Sequence, residues 1–262
     1  MAGVYETRRP RRRWGRRLMG TLIVLLIILG IAAVILDRVG ASVAERVISD
    51  RVAEQVQNQK ATSDKPDVTV EGVPFLTQVL NGKYEEIKIE LKNFAGPAGN
   101  GKTIKLPLLD IRAKDVRAPL DTLRTRQGDI IATTVTGTGT IGYAALTDLI
   151  GQKGLTLAEQ NGKLIAKAPV QALGQTFNVS GAANLTVKDG VVQVRFSDVT
   201  ADGLPDVALV RNIIDSYAQR LSLDLKVPAL PLKLTVQKVQ PTPSGLVVTA
   251  GANEVSLNAS GL

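Results

Sequence analysis

The chain contains no cysteine and no histidine. Without cysteine there is no disulfide, no thiolate metal site and no lipidated cysteine anchor. Without histidine the commonest general base and the commonest metal ligand are both missing. Serine hydrolase chemistry would then need a lysine or carboxylate base, and no residue stands out for that role. Aromatic residues make up only 3% of the chain, so Val, Ile, Leu and Ala must fill its core. Neither a P-loop nor a G-x-S-x-G elbow occurs. No catalytic residue, cofactor or metal is therefore expected.

Charge of one sign is also scarcer than the total suggests. The net charge is +8. Seven of the 32 basic residues but one of the 24 acidic residues fall within residues 1–36, leaving 25 basic and 23 acidic beyond them. The remainder is nearly neutral, which argues against nucleic acid as a partner of the folded part.

What is present first is an apolar run. Leu18 to Leu36 reads LMGTLIVLLIILGIAAVIL, 19 residues without a charge. As a helix it spans roughly 28 Å, close to the hydrocarbon thickness of a bilayer. Thirteen of the 19 are Leu, Ile or Val, and insertion gains on the order of 4–8 kcal/mol. Arg8, Arg9, Arg11, Arg12, Arg13, Arg16 and Arg17 precede the run, while Asp37 and Arg38 cancel just after it. The positive-inside rule then places the N-terminus in the cytoplasm and everything after Leu36 outside. Trp14 suits an interfacial anchor. The run is longer than a usual signal-peptide core, which favours retention. Val39-Gly40-Ala41 supplies small residues at which cleavage is the alternative.

Four segments follow from this reading. Residues 1–17 form an Arg-rich cytoplasmic tail, 18–36 a transmembrane signal-anchor, 37–66 an amphipathic helix and linker, and 67–262 a β-rich domain. In the third, Val43, Val47, Ile48, Val52 and Val56 recur at helical spacing. Beyond it, Asp67–Glu71 alternates as a strand. Pro74 opens a short helix over Phe75–Leu80, which Asn81-Gly82 closes. Tyr84–Lys92 alternates Ile87, Ile89 and Leu91 with charged residues, the pattern of a half-buried antiparallel strand. Further strands are predicted over 103–117, 129–141, 163–170, 176–187, 191–196, 222–227, 232–239 and 246–257. Helices are predicted over 143–150 and along a stripe of Val207, Val210, Ile213, Ile214, Tyr217 and Leu221. The fold class is α+β: a transmembrane helix, then a curved antiparallel β-sheet wrapped on amphipathic helices.

Gly137, Gly139 and Gly142 match G-x-G-x-x-G. The preceding strand is rich in Thr and no parallel βαβ unit follows, so the dinucleotide reading fails on context. Relief of curvature in a bent strand is the expectation instead. Asp110, Asp115, Asp121 and Asp129 are scattered among basic residues and are expected on solvated faces.

The rows of branched aliphatics must be covered by a helix, a second sheet or a ligand. Phe75, Leu76, Val79 and Leu80 put four apolar side chains on a helix of under two turns, more than a solvent-facing helix carries. With Ile87, Ile89 and Leu91 opposite, and Val210, Ile213, Ile214, Tyr217 and Leu221 beside them, they are the candidate walls of an acyl-chain cavity. A filled core, in a structural or scaffolding envelope protein, is the alternative. An envelope enzyme acting on glycolipids is a third reading.

The segment VTVEGVPFLTQVLNGKYEEIKIEL, residues 68–91, resembles the opening of the LmeA-like phospholipid-binding family of actinobacterial envelope proteins. Gly72, Pro74, Phe75, Leu76, Thr77, Gln78 and Gly82 carry the match. LDLKVPALPLKLTVQKVQPTPSGLVVTA, residues 223–250, is similar to the family's closing strands. The resemblance runs from about residue 41 to 258. It implies export, a tubular lipid-binding fold, no shared catalytic residues, and a membrane phospholipid as ligand, inositol phospholipids being the type example. That example acts in mannan elongation of cell-wall lipoglycans. Lipid binding carries over to this chain, but that pathway does not. The implied location is the plasma membrane, single-pass, with the domain on the extracytoplasmic side.

Overall fold

The computed structural model describes residues 14–97, 103–125, 127–172, 175–201, 216, 223–226 and 234–257. One helix, α1 (Trp14–Asn58), contains both the apolar run and the amphipathic segment, without a break between them. Nothing at Asp37-Arg38 interrupts the helical hydrogen bonding, because neither residue is a Pro or a Gly. Every residue from Met19 to Leu36 is exposed. In the other half, Ala41, Val52 and Val56 are buried against the sheet.

After α1 come β1 (Asp67–Glu71), α2 (Phe75–Asn81), β2 (Lys83–Pro97), β3 (Thr103–Arg117), α3 (Leu120–Thr125), β4 (Ile131–Ile141) and α4 (Tyr143–Ile150). Then follow β5 (Thr156–Gln160), β6 (Lys163–Ala172), β7 (Gln175–Lys188), β8 (Val191–Ala201), β9 (Leu223–Lys226), β10 (Thr235–Thr242) and β11 (Gly245–Ser256). They make two antiparallel sheets, ordered β1-β2-β3-β4-β11-β10 and β5-β6-β7-β8-β9. The α+β class and the antiparallel pairing are as expected. The described sheets differ from the expected wrap: neither is curled or closed. Helix α3 and strand β5 were not anticipated. The helix expected along Val207, Val210, Ile213, Ile214, Tyr217 and Leu221 lies outside the described residues.

Pairing of β2 with β3 runs from Lys83↔Arg117 to Pro97↔Thr103. One side of this hairpin carries Ile89, Leu91, Leu109, Ile111 and Ala113, all buried. The other carries a lattice of charge. Arg112 donates to Asp110 at 3.0 Å and to Glu86 at 3.1 Å, while Lys88 meets Glu90. The hydrogen bond that Arg112 donates to Asp110 raises its guanidinium above the ordinary value, with help from Glu86. The Lys88 hydrogen bond lowers Glu90. Such exposed pairs add little stability, but they fix which side faces water. Asp115, Asp121 and Asp129 are exposed, as expected, while Asp110 is partly buried in its pairing with Arg112.

Gly137 and Gly139 sit in β4, between β3 and β11. A Cβ on Gly139 would lie 3.0 Å from Leu106 Cδ1, and one on Gly137 would lie 3.3 Å from Leu234 Cδ1. Here the visible reason for the glycines is space for two leucines, where relief of curvature was expected.

Candidate functional site

The family-like segment folds into a fastening between α1 and the first sheet. Gly72 has a φ of +94°, and a Cβ there would lie 2.7 Å from Gln78 Nε2. Only glycine accepts both conditions without strain. Gln78 is buried and ties two strands together. Its Nε2 donates to Glu71 O at 3.1 Å, and its Oε1 accepts from Glu85 N at 2.9 Å. Gly82 closes α2 in the left-handed conformation at φ +62°. Its carbonyl accepts from Ala118 N at 2.9 Å, so the end of α2 is joined to the chain entering α3.

The start of α2 has no cap of its own, since Pro74 makes no side-chain bond there. Asp37 supplies one from α1. Its Oδ1 accepts from Leu76 N at 2.8 Å, and the side chain is 6% exposed. A carboxylate at a helix N-terminus also meets the positive end of the helix dipole. Two more contacts follow the same path. Glu45 Oε1 accepts from Val70 N at 3.0 Å, satisfying a donor on the edge strand β1, and Ser49 Oγ donates to Pro66 O at 2.6 Å. Nothing in the sequence marks Asp37, Glu45 or Ser49, because each partner lies 17 to 39 residues away. Gly40, readable as part of a cleavage site, leaves room for Phe75. A Cβ there would sit 3.3 Å from the Phe75 ring.

The candidate wall residues separate into three groups. Phe75, Ile89 and Leu91 are buried in one apolar cluster, against which Val79 and Ile87 pack. That cluster includes Val52 and Val56 of α1, and Leu91 is 1% exposed within it. The Phe75 and Tyr84 rings lie 6.2 Å apart, and burial raises the Tyr84 phenol above its ordinary value. Leu76 and Leu80 are 40% and 78% exposed, and Leu76 Cδ2 lies 3.6 Å from where a Cβ on Gly40 would sit. Val210, Ile213, Ile214, Tyr217 and Leu221 lie outside the described residues. Beside α2 is a cleft of about 450 Å³ lined by Val73, Pro74, Thr77, Gln78, Asn81, Lys83 and Glu85. Its lining mixes apolar and polar groups.

These features define an α+β domain of antiparallel sheets fastened to an apolar N-terminal helix of the length and composition of a membrane anchor or signal. A family model described as LmeA-like phospholipid-binding matches residues 36–251, and the chain belongs to that family. The family is described as phospholipid-binding rather than catalytic. No curated protein and no solved structure matches the chain.

Proposed function

We propose that this protein binds and carries membrane phospholipid at the outer face of the plasma membrane, held there by its own N-terminal helix. The observation that carries the reading is the family match over residues 36–251, which begins where the apolar run ends. Retention of the helix is favoured by Asp37 and Gly40. Cleavage near Ala41 would remove the acceptor of Leu76 N and the surface on which Phe75 rests. In this proposal residues 1–17 stay in the cytoplasm, 18–36 span, 37–66 connect and 67–262 bind lipid. The finer proposal is a tubular lipid-binding-like fold whose lipid-binding residues are Val210, Ile213, Ile214, Tyr217 and Leu221 of the 207–221 stripe together with Phe75, Leu76, Val79, Leu80, Ile87, Ile89 and Leu91. The ligand class is a glycerophospholipid, with inositol phospholipid as the type case, serving envelope lipid or lipoglycan assembly.

The energetics suit a carrier. An acyl chain gains about 0.8 kcal/mol per CH₂ on leaving water. Leaving a bilayer for an apolar groove changes that term little, so uptake and release need no energy source. A filled-core structural protein is the second reading. The observation favouring it is Leu91, 1% exposed in a cluster already covered by α1.

Organic extraction with mass spectrometry separates the two. The full-length protein would be extracted from its membrane in mild detergent and washed free of bulk lipid. One phospholipid per chain is the expected result. Extracted protein that is folded and lipid-free would overturn the carrier reading.

A further inference from the structure

We infer that the α2–α3 end of the first sheet is a second membrane contact, dipping into the outer leaflet beside the span. The inference rests on the reading of α1 as a retained anchor. It starts from direction. Ser49, Glu45 and Asp37 of α1 meet Pro66, Val70 and Leu76 in turn. As the chain advances from 66 to 76, its partners on α1 move back toward the apolar run. Helix α2 is therefore fastened within one helical turn of Leu36, at a rise of about 1.5 Å per residue. The sheet then returns to the same level. Lys83 at the start of β2 pairs with Arg117 at the end of β3, and Arg117 pairs with Ile131 at the start of β4. The connection from β3 to β4 is α3, so α2 and α3 share the end of the sheet nearest the span.

This end has the wrong surface for water. Among the described residues, six large apolar side chains outside α1 are exposed: Val73, Leu76, Leu80, Leu108, Leu120 and Leu123. Five of the six lie on α2, α3 or the turn before α2. Val73 is 67%, Leu80 78% and Leu123 43% exposed. Grouped apolar exposure of this kind marks an interaction surface, whereas single exposed leucines do not. Its occupant is set by height: a surface within a turn of the end of a transmembrane segment faces the leaflet that segment leaves. Charges around it have both signs, with Lys83, Arg117 and Arg124 against Glu71, Glu85 and Asp121. Insertion of the leucines, rather than charge, is then the attraction, and salt should not release it. The cleft lined by Val73, Pro74, Thr77 and Lys83 lies at the same end, so docking would hold its polar groups at head-group level.

The absence of cysteine makes the test clean. Single variants Leu80→Cys, Leu123→Cys, Val24→Cys and Lys163→Cys are labelled with an environment-sensitive fluorophore in the full-length chain. Each is reconstituted into phosphatidylcholine vesicles carrying lipids spin-labelled at a shallow or a deep position. Positions 80 and 123 are exposed, so the label leaves the fold alone. The expected result is shallow quenching at 80 and 123, about 5–10 Å into the boundary of head groups and acyl chains. Deep quenching is expected at 24 and none at 163, which lies at the start of β6 in the other sheet. Quenching at 24 without any at 80 and 123 would overturn the docking and leave the anchor standing. No quenching at 24 would overturn the anchor reading, and the docking with it.

Discussion

Replacing Asp37 with Ala tests whether the helix leaving the membrane is part of the domain or merely its tether. The carboxylate is almost wholly buried and accepts from Leu76 N at 2.8 Å. Helix α2 has seven residues and no cap bond from Pro74. Alanine would leave a buried donor without an acceptor, which costs about 1–3 kcal/mol. Exchange of the α2 amides through local opening should then quicken about 5- to 150-fold. Asparagine keeps an oxygen acceptor and loses only the charge facing the helix dipole, worth about 0.3–1 kcal/mol, so its effect should be about two- to fivefold. The assay is hydrogen exchange with mass spectrometry on the full-length chain in lipid nanodiscs, following a peptide across residues 73–82. Exchange in the Ala variant within a factor of about two of the parent would refute the capping role. Equal effects of Ala and Asn would refute the assignment of the bond to an oxygen acceptor.

Gly82→Ala forces an L-residue to φ +62° and sets a Cβ 2.8 Å from Pro119 Cα. It should cost about 2–3 kcal/mol and lower the melting midpoint by roughly 4–12 °C in a chain this size; an unchanged midpoint would contradict the geometry. Burial raises Tyr84 above its ordinary 10.0, so its contribution is intact below that pH and fades as pH rises through the higher folded value. Tyr84→Phe should therefore lose less stability than the parent between neutral and strongly alkaline pH, as read from denaturant midpoints, and parallel curves would count against it. Ile213→Trp should remove bound lipid while leaving melting nearly unchanged if the 207–221 stripe lines a cavity. A fall of about 1–3 kcal/mol, with lipid retained or never present, would indicate a filled core instead.

Much of the first sheet was legible because strands announce themselves by a period of two. Ile87, Ile89 and Leu91 alternate with charge, and the observed register sets them on the buried side with Arg112 and Glu86 on the other. Helix ends were legible for a similar reason. Gly82 closes α2 in the left-handed conformation that glycine permits without cost. The apolar run was legible from length alone. What the sequence left open is instructive in Leu76 and Leu80. Four apolar residues in under two turns exclude an ordinary wetted helix, but they do not say whether the apolar side meets a core, a lipid or a bilayer.

Local chemistry in the sequence determined the apolar helix, the strands, the turns at Gly72 and Gly82, and the family to which the chain belongs. The helix, strands and turns depend on residues near one another in the chain, where covalent geometry does most of the selecting. Only the tertiary structure decided that α1 runs unbroken into the domain, that Asp37 caps a helix 39 residues away, and that the exposed leucines gather at one end. Those outcomes depend on which distant segments approach. A carboxylate in the sequence looks the same whether water or a buried amide receives it, and the difference appears only once the chain has closed around it.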